Sequence, residues 1–537
     1  MRVLCRAAAV LVATAFLPPG ASGQAARVPL PVIGGDADDR ARLSHLFGRP
    51  GSDRYLLRTA SEALDSLPAK PTRLRWALLS PDLLIINNSA LPFSLNDGAL
   101  WAGRGWSEAV RVGLRARWGR VSLVLAPELI ATENQSYALP PPEVELPRPA
   151  GRDPLSTPWH VGAYSIDLPL RFGTWGAWRI DPGQSTLAVD GGPVTAGLST
   201  ENEWWGPGIR NAIVMSNNAA GIPRVFVRTT RPIRTGIGTF AGRWFLGGLV
   251  ESSYFDSDPT NDRRAITALA GTWTPPGAPS LTVGFTRAVY SPLQEWDDIL
   301  GHAFDVVRAR GRAGDAPARD QIFSLFARWV LPADGMAVHF EWARTDPPRS
   351  LRQLLTAPNH SQAYTLGLEW ARHVGADGAL RFQTEVTYLE LPPSYRNQPE
   401  ATFYTSAAVP QGYTQRGQVI GAAIGPGASS QWLGLDYVRP RWRVGLFGGR
   451  IRWESDATYL FPVTAIAVNK WCSHDVTLYG GIAVAAQPKW GRIEAALTRG
   501  ERLNVFFHHL TTCDLNPDPI AVRDARNTTL ELRFSPP

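Results

Sequence analysis

One short region of the chain carries side chains of the kinds that recognise sugars. Within residues 201–231 we single out two carboxylates, two indoles, two amides and a guanidinium: Glu201, Glu203, Trp204, Trp205, Asn217, Asn218 and Arg231. Sugar rings stack on indole faces, while carboxylates, amides and guanidinium groups bind the hydroxyl and acid groups of the sugar. This grouping predicts a polysaccharide-binding site.

The same residues allow a structural interpretation. Paired tryptophans can anchor a strand at a membrane interface, residues 206–208 (Gly-Pro-Gly) can form a tight turn, and Asn217 with Asn218 can form a turn bonded to its own backbone. A motif of this density commonly serves the fold itself. Both interpretations stay open on sequence grounds.

Residues for catalysis are sparse. The sequence has no Gly-x-Ser-x-Gly element and no His-Glu-x-x-His motif. His508 and His509 are adjacent in a predicted strand, so their rings point to opposite faces and cannot hold one metal ion together. Glu341 and Glu369 could in principle form a glycosidase pair, but charged residues line every water-filled barrel. We therefore expect no enzymatic activity, metal or cofactor.

The elements that carry these groups follow a period of two. In residues 110–118 the apolar side chains share one face, while Arg111, Arg115 and Arg117 share the other. A row of arginines cannot form the core of a soluble sandwich without a partner for each charge, whereas it can line an aqueous lumen. Similar alternation recurs in residues 281–285, 338–342, 364–370, 382–388 and 530–534, with Glu341 and Glu369 on lumen-type faces.

These alternating segments predict an all-β chain that forms a transmembrane antiparallel β-barrel over residues 74–537. A soluble periplasmic sandwich or propeller is the alternative, but no repeat of fixed blade length supports a propeller. The chain has 20 tryptophans, which favour membrane interfaces. The net charge of +7 is spread without a long basic run, so we expect contact with outer-membrane lipid and lipopolysaccharide rather than nucleic acid.

The N-terminus predicts export. Arg2 and Arg6 flank the start of an apolar run over residues 7–17, and small residues follow at 21–23, as in a cleaved signal peptide of residues 1–23. The apolar run is shorter than the roughly 20 residues that a spanning helix needs. Export in a diderm (Gram-negative) bacterium would deliver such a barrel to the outer membrane.

Residues 24–73 are predicted to be a small periplasmic helical segment. One helical face is suggested by Leu56, Ala60, Ala63, Leu64 and Leu67, and a shorter helix by residues 38–47. The segment could cover one mouth of the barrel or form an ordered N-terminal arm.

Two cysteines would remain after removal of the signal peptide. Cys472 and Cys513 could form one disulfide in an oxidising periplasm. Two free buried thiols are the alternative, because sequence cannot show that the two residues are close.

Several motifs in fixed order resemble one known family. Residues 204–208 read Trp-Trp-Gly-Pro-Gly, residues 216–219 read Ser-Asn-Asn-Ala, and Arg-Pro follows at 231–232. Two later blocks, residues 326–346 and the glycine-rich residues 416–427, agree with them. This pattern resembles the Wzi-type capsule-assembly family over roughly residues 70–537.

The resemblance implies a barrel of about 18 strands with a helical element at its periplasmic mouth and external loops that close the pore. It also implies a lectin-like role, in which a monomer holds capsular polysaccharide or another exopolysaccharide at the cell surface. The identity of the glycan is not implied. A porin-like channel for sugars or anions, lined by Arg111, Arg115 and Arg117, is the main alternative, and an outer-membrane hydrolase ranks last because no catalytic constellation supports it.

Overall fold

The computed structural model describes ten stretches of the chain, namely residues 27–49, 56–64, 74–139, 151–160, 164–308, 318–345, 350–393, 400–460, 474–507 and 524–537. None of the helices in these stretches has the length and apolar character needed to cross a bilayer. The predicted signal peptide (residues 1–23), His508, His509, Cys472 and Cys513 lie outside the described residues, so the signal peptide and the disulfide stay predictions.

The described residues are mostly β-structure. In chain order the strands are β1 (Leu57–Thr59), β2 (Arg75–Leu78), β3 (Asp82–Asn88), β4 (Gly105–Arg111), β5 (Leu114–Trp118), β6 (Val121–Leu125), β7 (Glu128–Thr132), β8 (Ala177–Asp181), β9 (Thr186–Asp190), β10 (Val194–Ser199), β11 (Glu203–Trp205), β12 (Arg224–Thr229), β13 (Ile233–Thr235), β14 (Gly238–Val250), β15 (Arg263–Thr274), β16 (Leu281–Leu293), β17 (Asp320–Leu331), β18 (Met336–Arg344), β19 (Gln362–Val374), β20 (Gly378–Tyr388), β21 (Thr414–Gln415), β22 (Gln418–Val419), β23 (Ser429–Arg439), β24 (Trp442–Trp453), β25 (Asp475–Ala486), β26 (Arg492–Leu503) and β27 (Ala525–Ser535). The α-helices are α1 (Asp36–Leu46), α2 (Leu351–Thr356) and α3 (Ala457–Leu460), and 3₁₀ turns occupy Ser61–Leu64, Trp296–His302 and Val505–Phe507.

Most strands close into one antiparallel barrel. Five pairs of consecutive segments (β2 with β3, β4 with β5, β6 with β7, β8 with β9, and β12 with β13) each continue one wall strand across a short break. Counted this way, the described residues supply eighteen wall strands, and β27 closes the barrel by pairing with β3. The strand number implied by the family resemblance is therefore confirmed.

The two ends of the barrel differ in their connections. Turns such as residues 119–120, 236–237 and 440–441 join neighbouring strands at one end, whereas long loops such as residues 133–176 and 389–428 join them at the other. Turns on the periplasmic side of such barrels are short and external loops are long. The short-turn end therefore faces the periplasm, and the long-loop end faces the outside.

The outer surface of the barrel is apolar. Along β17, for example, Leu325 and Trp329 are half exposed, while the alternate residues Phe326 and Arg328 are buried in the lumen. Near the short-turn end the exposed indoles are those of Trp76, Trp118, Trp273, Trp329, Trp442 and Trp490. A ring of tryptophans at this level is the aromatic girdle expected at a membrane interface.

The lumen is packed. Three parts of the chain enter it, and we call them together the plug: residues 27–49 with 56–62, residues 200–223 with β11, and residues 400–428 with β21 and β22. Within the plug β1 pairs with β11. The Tyr404 and Tyr413 hydroxyls donate hydrogen bonds to the carbonyls of Ile213 (2.6 Å) and Val214 (2.8 Å), which ties two of its segments together.

The helix predicted from the apolar spacing of residues 56–67 is wrong over the described residues 56–64, because Leu57–Thr59 is the strand β1 and Ser61–Leu64 is a 3₁₀ turn. Leu67 lies outside the described residues. Leu56, Leu57 and Ala60 are buried as a helical face would be, but a strand partner from another part of the chain satisfies the backbone here. The shorter predicted helix is present as α1.

The strand expected over residues 110–118 is also not continuous. It breaks at residues 112–113, between β4 and β5. A Cβ atom at Gly113 would lie 2.0 Å from the carbonyl oxygen of Leu125, so only glycine allows the two strands to approach this closely.

We expect Trp205→Ala to destabilise the plug by about 3–5 kcal/mol, because it removes a fully buried indole packed on the Phe245 ring at 5.6 Å. The measurement is the urea concentration at which protease begins to cut residues 400–428. Trp118→Ala, at an exposed girdle position, is the matched control and should shift that concentration little. Equal shifts in the two variants would contradict the packing argument.

Candidate functional site

The two predicted sugar-stacking indoles lie inside the barrel. Trp204 is 1% exposed and Trp205 is fully buried. The Trp204 indole donates a hydrogen bond to the Gly208 carbonyl (3.2 Å), and the Arg58 guanidinium lies 5.2 Å from the centre of the Trp204 ring. The interpretation of this pair as membrane-girdle anchors is therefore wrong, and neither ring face is open to an external sugar.

Glu203 holds the plug to the barrel wall. Its carboxylate contacts Arg224 of β12 at 2.8 Å and Arg243 of β14 at 3.1 Å, and it accepts a hydrogen bond from the Trp205 indole at 2.5 Å. Burial alone would raise the pKa of Glu203, but the two arginines outweigh burial and lower this pKa to about 2. Glu62 of the plug shares one of these wall arginines, at 3.1 Å from Arg243, and also lies 2.6 Å from Arg228 of β12.

Glu201 and the two asparagines connect plug segments to one another. Glu201 accepts hydrogen bonds from the backbone and hydroxyl of Ser61 (3.0 and 2.9 Å), and burial raises the pKa of Glu201. Asn217 donates to the Ile33 carbonyl and Asn218 to the Val419 carbonyl, both at 3.0 Å. Glu201 and the two amide nitrogens therefore bind other parts of the protein, while the buried Oδ1 of Asn217 has no hydrogen-bond partner among the described residues.

Arg231 lies apart from this cluster. It is exposed, in the connection between β12 and β13, towards the short-turn end of the wall. Of the seven residues predicted to bind polysaccharide, the structure thus places six inside the plug and leaves Arg231 outside it.

The predicted lumen arginines face inward, and two of the three have acidic neighbours. Arg111 lies 3.0 Å from Asp82, and Arg117 lies 2.6 Å from Asp190. Arg115 is half-buried and pairs in register with Ala77, a buried residue on the lumen face of β2. Since two of the three cations are already neutralised, they do not form an open anion-selective lining.

Glu341 and Glu369 are also committed to the plug. Glu369 bridges Arg42 of α1 and Arg328 of β17, at 3.0 Å from each, and Glu341 accepts a hydrogen bond from the backbone of Ile213 at 3.4 Å. Both carboxylates are completely buried. They are enclosed by protein, so a glycosidase pair has no room for substrate here.

Sequence reasoning missed the cluster that fixes α1, which we call the α1 clamp: Asp36, Asp39, Arg42, Glu369, Arg381, Asp436 and Arg443. Arg381 lies 2.8 Å from Asp436 and 3.3 Å from Asp39, and Arg443 lies 3.1 Å from Asp36. Burial opposes ionisation of Asp39, but the arginines outweigh it and lower the pKa of Asp39. The signal in the sequence was the acidic first turn of α1, in a chain whose strands place many arginines on their lumen faces.

Glu203→Gln should weaken the plug most at neutral pH. Since the pKa of Glu203 falls from 4.5 to about 2 on folding, its ionised form contributes on the order of 3 kcal/mol above pH 4.5. That contribution disappears as the pH falls towards 2. Urea titrations of plug unfolding at pH 7, 4.5 and 3 should therefore show a gap between wild type and variant that narrows with acidity. Glu501→Gln, at an exposed ion pair with Arg526, is the control, and a gap independent of pH would contradict the assignment.

The comparisons with known proteins agree with this architecture. Residues 96–291 match the family model described as capsule assembly protein Wzi. No curated protein matches the sequence. The chain is similar in structure to Wzi of Escherichia coli, described as an outer-membrane protein involved in group 1 capsule assembly and a carbohydrate-binding β-barrel, with a TM-score of 0.55, 10% identity, and coverage of 88% of this chain and 86% of that one.

Two outer-membrane channels show a weaker likeness. For OccAB2 of Acinetobacter baumannii the TM-score is 0.40 at 10% identity, with 85% of this chain and 97% of that one covered. For OccK7 of Pseudomonas aeruginosa the values are 0.37, 11%, 85% and 97%. Residues 96–291 thus match the Wzi capsule-assembly family model, and the chain has the fold of an outer-membrane β-barrel.

Proposed function

We propose that this chain is a closed outer-membrane barrel that binds capsular or other exported polysaccharide at the cell surface, as a monomer and without catalysing a reaction. The observation that carries the proposal is the plug, which fills the lumen and is fixed to the wall by buried ion pairs. A barrel closed in this way is suited to holding a ligand rather than conducting it. The solved Escherichia coli relative, described as carbohydrate-binding, supports the choice of ligand.

The ion pairs make the porin-like alternative costly. Opening a path through the lumen would separate Arg42 from Glu369, and Glu203 from Arg224 and Arg243. Leaving one buried charge without its partner costs about 3–5 kcal/mol. Several such pairs would have to break together, so the closed state is the functional state in this proposal.

The glycan would bind at the long-loop end. Trp175, just before β8, is 82% exposed. Hydrogen bonds from a buried asparagine hold its loop in place. Asn134 donates hydrogen bonds to the carbonyls of Phe172 (2.8 Å), Gly173 (3.0 Å) and Trp175 (3.2 Å). An indole held on a rigid loop loses little freedom when a sugar stacks on it, which favours Trp175 as a contact.

The buried cluster would then position the loops instead of touching the sugar. Glu201, Glu203, Trp205, Asn217 and Asn218 hold together the segments that fill the lumen below the mouth. We assign them a supporting role in this proposal.

Trp175→Ala is expected to weaken binding of polysaccharide from the host by roughly twofold to twelvefold, the range of one aromatic contact of 0.5–1.5 kcal/mol. The measurement is binding by the purified, detergent-folded protein, with an unrelated glycan as specificity control. Trp490→Ala removes an indole that is 58% exposed at the opposite, short-turn end, and it should leave binding unchanged. Absence of selective binding by the wild type would overturn the proposal.

Arg42→Ala should make the barrel conduct. Arg42 donates hydrogen bonds to the carbonyls of Pro207 and Gly208 at 2.7 and 2.8 Å. The variant removes this donor and also removes one of the two arginines that pair with Glu369. We expect near-baseline ion conductance for the wild type in planar bilayers and a severalfold rise for the variant. Arg526→Ala, at an exposed outer pair, should behave as wild type. Clear conductance of the wild type would instead support the channel.

A further inference from the structure

Part of one long loop lies on the outside of the barrel wall. Residues 296–308, which we call the outer segment, follow β16 and pack against the outward faces of β14 and β15. The Trp296 ring lies so close to Gly248 that a Cβ atom there would be 2.6 Å from it. The Ala303 carbonyl accepts hydrogen bonds from the Trp244 indole (3.2 Å) and the Thr267 hydroxyl (3.1 Å).

One face of the outer segment is apolar, while its first turn carries the exposed carboxylates Asp297 and Asp298. Leu300, Phe304 and Val307 are 73%, 63% and 61% exposed, so they point away from the wall into the surroundings. Its backbone forms 3₁₀-type hydrogen bonds, including Ala303 to Leu300 and Val307 to Phe304. In hydrocarbon every backbone polar group needs such a partner, and these bonds let the segment lie against the barrel within the membrane.

An apolar groove opens beside the outer segment. It has a volume of about 480 Å³, and its lining includes Leu125, Leu187, Leu198, Val225, Leu246 and Leu300. The groove lies at the long-loop ends of β10 and β12, where β10 ends at Ser199 and β12 begins at Arg224. The wall is therefore interrupted beside the groove. The groove is continuous with the lipid-facing surface, because Leu125, Leu187 and Leu198 are also exposed on that surface.

A polar cluster flanks the other side of the outer segment. Arg287 of β16 points outward and donates to the Gln321 side-chain oxygen at 3.0 and 2.7 Å. Gln321 is 4% exposed, and its side-chain nitrogen has no hydrogen-bond partner among the described residues. Arg308 and Arg319 lie 3.1 and 3.7 Å from Asp305. Arg287 also donates to the Arg308 carbonyl at 3.3 Å, but among the described residues no carboxylate forms an ion pair with it, so its charge is available for an anion.

The cluster lies near the outer membrane boundary. Gln321 is at the long-loop end of β17, and Trp329, on the same outward face, belongs to the girdle at the short-turn end. The eight residues of strand from Gln321 to Trp329 span about 26 Å. The apolar band of an outer-membrane barrel is about 25 Å tall, and the strands cross it at a tilt. A cation at this height faces the headgroups of the outer leaflet rather than the middle of the bilayer.

We propose that the outer segment and its two flanks form a binding site for an acylated, phosphorylated glycolipid of the lipopolysaccharide class. An acyl chain occupies the groove, and a phosphate oxygen accepts hydrogen bonds from Arg287 and the unpartnered Gln321 nitrogen. Charge complementarity and continuity with the lipid surface both favour this occupant. The inference uses the membrane location in the proposed function but does not require that the barrel bind polysaccharide.

The test uses the full-length protein in detergent and rough-type lipopolysaccharide, which lacks long polysaccharide, with retention measured by native mass spectrometry. Arg287→Gln/Arg308→Gln should bind this lipid about tenfold more weakly than wild type. Arg499→Gln/Arg526→Gln, which changes two arginines on the outer face of β26 and β27, is the matched control and should bind like wild type. Leu198→Gln, in the groove, should weaken binding of the same lipopolysaccharide. The barrel of this variant should remain folded, as judged by its heat-dependent shift in electrophoretic mobility.

Several results would overturn the site. One is an equal loss of binding in both arginine double variants, which would indicate only general attraction to positive charge. Another is equal retention of phosphatidylglycerol, which would remove the glycolipid specificity. A third is unchanged binding in both Arg287→Gln/Arg308→Gln and Leu198→Gln, which would show that neither flank of the outer segment binds the lipid. Polysaccharide without lipid is assayed in parallel, so a failure of the glycan-binding proposal would be seen separately.

Discussion

Ion pairing inside the lumen is the constraint on which the rest of the structure depends. Alternating strands put arginines and glutamates on the inner face of the wall, and a packed lumen tolerates them only when each charge has a partner. The plug supplies those partners: Arg42 meets Glu369, Asp39 meets Arg381, and Glu203 meets two wall arginines. The same contacts that neutralise the wall therefore also close the barrel.

The family motif takes its meaning from this arrangement. Its tryptophans, glutamates and asparagines are the groups that a sugar site needs, but here they join the plug segments to one another and to the wall. Trp205 packs on a wall phenylalanine while its indole donates to Glu203. A residue type that suits sugar binding also suits a dry, hydrogen-bonded interior, because both need an apolar face with a polar edge.

The inside and outside of the barrel are linked where the wall is interrupted. Among the described residues, the pairing of β14 with β12 ends at Gly247, so the last residues of β14 have no strand partner on that side. The plug covers this edge, because the Arg416 backbone donates a hydrogen bond to the Val250 carbonyl at 3.0 Å. The Arg416 side chain reaches Asp181 of β8 at 2.7 Å. On the outer surface the groove and the outer segment lie beside the same interruption, so the plug seals from within a stretch of wall that faces lipid.

Sequence by itself determined the barrel, because a period of two with arginines on one face has few other stable solutions. It also indicated α1 and the inward direction of Arg111, Glu341 and Glu369. It could not decide that residues 57–59 form a strand, since the partner is more than 140 residues away and the apolar spacing fits a helix equally well. Nor could it decide whether Trp204 and Trp205 face lipid, sugar or protein. Burial and ion pairing are properties of residues brought together from distant parts of the chain, and only the closed barrel with its plug fixes them.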